Sequence, residues 1–338
     1  MPASALPAIG GKPGHAACSG CSLCLLVCPV WRRTRDLRLT PHGRAKALQH
    51  GASIKDIAAS VEACTLCGAC EPACPENIAL VDLVLDLRRR LPPTSIAQNV
   101  GVSMQAQRPR ALATRAATAT TLLAGGTLSR WPGLLARVAR LLGGTGKIAV
   151  ENDNGADISL ALEIGVVPPP QRLERFLAPL RLRNTVVVAD GLLLRSLRAW
   201  LPGTRFVSLG VALNSLPAVR RQLRADDLYV IEPRAFHADH ANLVVHYDDL
   251  RAQTGCTMNL DLLRIAIPAA TSNLQQRIGR ERPDDYAQIN WLLKGRRVAR
   301  VVVESADELS AFARDCDLPA VHLAELLDDP APREERQP

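Results

Sequence analysis

Aromatic residues are scarce in this 338-residue chain: four Trp, three Tyr and four Phe, about 3% of the sequence. A core at 47% hydrophobic content must therefore be built from Leu, Val, Ile and Ala. No run of eighteen uninterrupted apolar residues occurs, so no membrane-spanning helix is expected. The first seventeen residues lack the basic start and apolar stretch of a secretory signal. Arg32-Arg33 has no hydrophobic stretch behind it, which excludes a twin-arginine export signal. Also missing are a G-x-G-x-x-G turn, a G-x4-G-K-[ST] phosphate loop and an H-E-x-x-H helix. Gly143-Gly144-Thr145-Gly146-Lys147 lacks the spaced first glycine and the following Ser or Thr. No adjacent Cys-Cys pair occurs. Nucleic-acid-binding motifs are absent as well, and none of the usual nucleic-acid chemistry is expected.

What is present is concentrated in ten cysteines. Eight of them form two copies of one spacing, C-x2-C-x2-C-x3-C-P: Cys18, Cys21, Cys24, Cys28 with Pro29, and Cys64, Cys67, Cys70, Cys74 with Pro75. This is the run that wraps a [4Fe-4S] cluster. Three thiolates at steps of three line a tight loop around one face of a cubane. The fourth iron corner points away and is reached from elsewhere. In two-cluster proteins with this run, the last Cys ligates the other cluster. The expected sets are Cys18, Cys21, Cys24 and Cys74 for cluster one, and Cys64, Cys67, Cys70 and Cys28 for cluster two. Four-cysteine zinc sites need only two C-x2-C pairs, which leaves a third Cys surplus. Ten Cys in 338 residues is too sparse for a disulfide scaffold.

The formal net charge of +8 counts the ligand thiols as neutral. Two four-thiolate clusters of roughly −2 each bring it to about +4, too mild to argue for nucleic acid. Reduced thiols and cluster assembly fit a cytoplasmic location.

The expected fold is α+β and multidomain. Residues 1–17 read as a disordered leader and 18–91 as an α-helical dicluster ferredoxin domain. Within it, Ser53 and Asp56 cap a helix through Ile57 and Val61, and a helix from Ile78 ends at Arg88-Arg89-Arg90. Residues 92–155 read as a basic Ala/Thr/Gly-rich linker. It holds an amphipathic helix around Trp131, Leu134, Leu135, Val138 and Leu141, edged by Arg130, Arg137 and Arg140. That helix packs on its own protein, docks an acidic partner or lies on a membrane surface; all three remain open here. Residues 156–326 alternate apolar strand patterns (185–189, 206–209, 228–231, 243–245, 298–303) with helices, one of them across Leu213 to Leu223. The pattern marks an α/β domain with a mainly parallel sheet. Residues 327–338 read as a disordered tail.

From Cys18 to Leu91 the chain resembles the dicluster domain found in the C-type iron–sulfur protein of heterodisulfide reductase. It is similar, too, to the iron–sulfur subunits of anaerobic glycerol-3-phosphate dehydrogenase and related flavin-linked dehydrogenases. The two cysteine runs, the Thr40-Pro41-x-Gly43-Arg44 segment and the helix ending in Leu87-Arg88 carry the resemblance. It implies an electron relay, non-catalytic in itself, between a flavoprotein and a catalytic subunit of the heterodisulfide reductase B or dehydrogenase type. It leaves peripheral membrane association open.

Outside the cysteine runs, one polar group invites attention. His237, Asp239 and His240, with Arg234 nearby, follow a strand pattern, where α/β folds place ligands. They are either a metal or anion site belonging to an enzyme, or loop residues with structural partners. A third reading makes the clusters purely structural. Around the clusters, Leu23, Leu25, Leu26 and Val27 suggest an apolar shell for cluster one. Thr65, Ala69, Glu71 and Ala73 suggest a more polar one for cluster two.

Overall fold

The computed structural model describes residues 14–93, 95–106, 120–144, 148–261, 263–269 and 286–327. The tail from 328 onward and the leader up to residue 13 lie outside them, as do Arg108, Arg110 and Arg115 of the basic zone.

The cysteine domain is helical. Short helices α1 (Leu23–Val27) and α2 (Pro29–Thr34) follow the first loop; α3 (Pro41–Gln49), α4 (Ala58–Ala63) and α5 (Leu80–Arg90) complete the frame. The Thr40-Pro41-x-Gly43-Arg44 segment has a physical account at each position. Thr40 caps α3 by accepting from the Gly43 N–H, and Pro41 occupies the first helical turn, where its missing N–H costs nothing. A Cβ on Gly43 would fall 2.0 Å from the Leu37 carbonyl oxygen, so only glycine lets α3 approach that turn. Arg44 is buried and donates to the Ser60 carbonyl. Ser53 and Asp56 do bond each other, but they close the turn before α4 and do not cap it.

Among the remaining described residues two four-stranded sheets form, and every strand pairing in them is parallel. The first contains β1 (Thr120–Leu123), β2 (Ala149–Val150), β3 (Thr185–Val188) and β4 (Arg205–Ser208), in the order β2-β1-β3-β4. The second contains β5 (Asp227–Val230), β6 (Thr257–Met258), β7 (Arg300–Val303) and β8 (Ala320–His322), in the order β6-β5-β7-β8. The strand order is the same in both, so one topology is used twice.

Alternation along the strands divides the interior into layers. Val186 and Val188 face a core shared with α5, α9 (Ala156–Ile164), α10 (Pro170–Arg181) and α11 (Gly191–Trp200). Val187, Leu122, Tyr229 and Val302 face a middle core. Its helices are α8 (Pro132–Gly143), α12 (Leu209–Asn214) and α15 (His240–Thr254). Leu228, Val230, Val301 and Val303 face a third core with α16 (Tyr286–Leu293) and α17 (Ala306–Asp315). The first core also contains Ile57, Val61, Leu66, Ile78 and Val84, so the cysteine domain and the first sheet are packed as one body.

Three sequence expectations need correction. Residues 92–155 are not a linker: β1 and β2 lie within them, and β1 is a central strand paired on both sides. Its four residues, Thr-Thr-Leu-Leu, sit in an Ala/Thr/Gly-rich tract too short and too mixed to register as a strand. The amphipathic helix does exist as α8, and it buries Leu134 and Val138 in the middle core. Leu243-Val244-Val245 is not a strand but part of α15; Leu243 and Val244 pack inward while Val245 is 71% exposed. A three-residue apolar run fits either period. The helix expected across Leu213 to Leu223 is split, because Pro217 starts a new short helix, α13 (Pro217–Arg220). Among the described residues no helix is long and apolar enough to cross a membrane.

Candidate functional site: two adjoining cysteine cavities

The eight cysteines line two neighbouring cavities. Cys18, Cys21, Cys24 and Cys74 surround the first, with Ser19, Ser22, His42 and Glu76. Cys28, Cys64, Cys67 and Cys70 surround the second, with Thr65, Leu66, Gly68 and Ala69. Each cavity therefore takes three cysteines from one run and the last cysteine of the other. Pro41 and Leu80 line both, so the cavities share a wall. All eight thiols are unbridged.

The thiols are bunched where thiolates are costly. Burial, with neighbouring thiols adding to it, pushes Cys24 up to about 11. Burial pushes Cys28 to about 11 and Cys67 to about 12, and raises Cys70 strongly. Such thiols give up their protons to solvent when a cationic metal core binds the thiolates and offsets the desolvation. The donor sets and their arrangement fit cubane clusters.

The two loops are held differently. The first is fastened from within its own domain: Gln49 donates to the carbonyls of His15, Ala16 and Cys18, and Lys46 donates to that of Cys18. The second is fastened by Arg88 of α5 and, in addition, from the sheet region. Arg88 donates to the Cys64 carbonyl at 2.5 Å and to that of Val61. Arg234 donates to the Thr65 carbonyl at 2.6 Å while pairing with the buried Glu163 at 2.8 Å. The Nδ1 of His237 donates to the Cys67 carbonyl at 2.7 Å. Arg195 makes two bonds to Glu71, which also caps the Val81 N–H. Gly68 has φ +78°, and a Cβ there would lie 2.8 Å from the Cβ of His237. The left-handed backbone and the close approach both demand glycine.

These bonds correct the reading of His237, Asp239 and His240 as a ligand site. The short helix α14 (Pro233–Ala238) buries His237, whose Nε2 accepts from the Ala266 N–H. With both nitrogens engaged, it has none left for a metal. Burial pushes its pKa down to about 3 and keeps it neutral. Asp239 pairs with Arg198, and His240 bonds the Arg264 carbonyl. Among the described residues no group of three or more His, Cys, Asp or Glu is placed to hold a single metal ion. The histidine that sequence reasoning singled out is a positioning residue for a cysteine loop instead.

The shells around the cavities also differ from expectation. Leu23 and Leu26 are 41% and 61% exposed, and Val27 packs with Cys67, Ala69 and Ala73 on the side of the second cavity. Cys21 is exposed in the first cavity, whereas Cys28 and Cys67 are buried in the second. The second cavity is therefore the drier one.

Residues 14–78 match the family model described as a 4Fe-4S dicluster domain. The cofactors are two [4Fe-4S] clusters. No curated protein and no solved structure matches the chain. The dicluster match ends at residue 78, before either parallel sheet begins. Arg88, Glu163, Arg195, Arg234 and His237, which hold the second loop, all lie beyond it.

A further crevice lies where the carboxyl ends of the two sheets meet. Asp190, Glu232, Arg234, Asp307, Glu308 and His322 line it. Two of its acids have local duties: Asp190 caps α11, and Glu232 caps α14 through the Arg234 and Ala235 N–H groups.

Proposed function

We propose that this chain is an electron-transferring subunit that passes single electrons through its two clusters. Cluster one takes Cys18, Cys21, Cys24 and Cys74; cluster two takes Cys64, Cys67, Cys70 and Cys28. The observation that carries this reading is the shared wall of Pro41 and Leu80, which makes the two cofactor cavities immediate neighbours. Each cluster supplies one-electron chemistry, and the protein tunes it through burial and hydrogen bonding around the sulfurs. The chain's own residues shape the path. The first cavity is open at Cys21, and the second is enclosed and gripped by Arg88, Arg234 and His237.

The resemblance of residues 18–91 to the C-type iron–sulfur protein of heterodisulfide reductase supports a role between two partners. One is a flavoprotein. The other is a catalytic subunit of the heterodisulfide reductase B type or of a flavin-linked dehydrogenase. The working place is the cytoplasm, with bond-making chemistry on the partner.

Reduction of the purified, cluster-loaded chain with dithionite, followed by EPR, tests the relay. Two reducible, magnetically interacting centres are expected. Centres that never accept an electron would reduce the clusters to structural staples and end the relay reading.

A further inference from the structure

Beside cluster two lies a cavity of ≈ 350 Å³, within the roughly 300–1,000 Å³ typical of small-molecule sites. It is lined by Leu25, Leu26, Pro29 and Thr65 on one side and by Pro268, Ala269, Gln288 and Trp291 on the other. Trp31, Arg32, Arg33 and Arg35 complete it. Pro29 and Thr65 also line the second cysteine cavity, so the two spaces adjoin.

Its chemistry is one-sided. Among the described residues three arginines line it and no carboxylate does. Asp261 acts on Arg32 from outside the lining. Two of the chain's four tryptophans are here, in a sequence with very few aromatics. The Arg32 guanidinium sits 4.0 Å over the Trp291 ring, and Arg35 lies 5.7 Å from Trp31. Arg32 Nη2 donates to the Leu26 carbonyl, but its Nη1 is buried with no partner among the described residues. Gln288 Nε2 is likewise buried with no partner. Two orphaned donors in one cavity are costly unless an acceptor arrives.

We propose that this cavity binds a planar, anionic aromatic molecule rich in hydrogen-bond acceptors, of the chemical class of flavin mononucleotide. The tryptophans offer faces for a flat ring, and Arg32 Nη1 with Gln288 Nε2 meets its ring acceptors. Arg33 and Arg35 pair with the phosphate. The choice of a flavin among planar anions rests on the relay reading, because the site abuts a cluster.

The test uses the full-length, cluster-loaded chain. Free flavin is measured by its fluorescence after ultrafiltration. Flavin mononucleotide should be retained saturably, and riboflavin, which lacks the phosphate, about tenfold more weakly or worse. Arg32→Gln and Trp291→Ala should each weaken flavin mononucleotide by about tenfold with unaltered cluster absorbance. Should Arg32→Gln lose its clusters, the exposed pair Arg33→Ala/Arg35→Ala decides. It should erase the preference for flavin mononucleotide over riboflavin. No saturable retention, or retention indifferent to all these changes, overturns the proposal. Dithionite reduction of the same wild-type sample separates the two readings. Reducible clusters without flavin binding sink the pocket alone; flavin binding beside inert clusters sinks the relay alone.

Discussion

His237 Nδ1 lies 2.7 Å from the carbonyl oxygen of Cys67, joining two residues 170 positions apart in the chain. A helix of the second sheet thereby fixes the backbone of a cluster loop. The same ring accepts from Ala266, so one neutral histidine bridges two buried backbone groups.

Replacing His237 with Ala leaves the Cys67 carbonyl and the Ala266 N–H without partners, a loss of about 1–3 kcal/mol. The loss falls on the second cavity alone. We expect His237→Ala to shed iron under a chelator in two phases, one fast and one at the wild-type rate. His237→Gln, which keeps a donor and an acceptor, should move part of the way back. A single phase at the wild-type rate would contradict the clamp.

The crossed ligand sets are tested by pairs of substitutions. Cys18→Ala with Cys74→Ala removes two ligands from one cavity and should leave about four irons per chain. Cys64→Ala with Cys74→Ala removes two ligands from one run and should damage both clusters. Iron analysis and EPR distinguish the outcomes. The reverse pattern, about four irons left in Cys64→Ala/Cys74→Ala and both clusters damaged in Cys18→Ala/Cys74→Ala, would argue for uncrossed ligation.

Arg234 and Glu163 form a buried ion pair that also carries the Thr65 carbonyl. Removing one partner of such a pair costs about 3–5 kcal/mol, because the other charge is left stranded. Glu163→Gln should therefore lower the unfolding midpoint markedly in thermal denaturation. An unchanged midpoint would mean that Arg88 and Arg234 support the loop without it.

His322 gives a pH dependence of known sign. Burial holds its pKa down to about 4; Nε2 donates to the Glu304 carbonyl and Nδ1 accepts from Ala324. The unfolded chain takes up this proton near pH 6.5 and the folded one only near 4. The contribution is thus complete above pH 6.5 and is lost as pH falls from there to 4, by up to about 3 kcal/mol. Glu232, raised to about 7 by burial, has the opposite slope. Its contribution is present below about 4.5 and is lost as pH rises to 7. Denaturant unfolding of wild type and His322→Gln at several pH values checks this. The difference between the two should widen with pH and level off above 6.5; a constant gap would reject it.

The cysteine runs were legible because ligand spacing is local: a cubane demands thiolates a few residues apart. Strands 185–188 and 300–303 were legible because both are runs of valine flanked by helix patterns. The strand Thr120–Leu123 was hidden by its brevity and composition, and Leu243–Val245 misled because three apolar residues fit a helix as well as a strand. Gly68 reads in sequence as one more small residue. Its meaning depends on His237, which no local pattern connects to it. The grip of Arg88, Arg234 and His237 on the Cys64, Thr65 and Cys67 carbonyls is purely tertiary, so only the folded chain displays it. The exchange of shells between the cavities has the same origin, since Val27 turns toward Cys67 and away from its own run.

The clamp also sets an order of events during synthesis. The ribosome delivers Cys64 through Cys74 long before it delivers Arg234, His237 and Ala266. Gln49 and Lys46, which hold the first loop, emerge with the cysteines themselves. The first loop is secured while the chain is still short; the second gains Arg234 and His237 only once the second sheet has begun to form. A chain that stops short of the second sheet therefore lacks Arg234 and His237 at its second loop, and its second cluster should be the first released under a chelator.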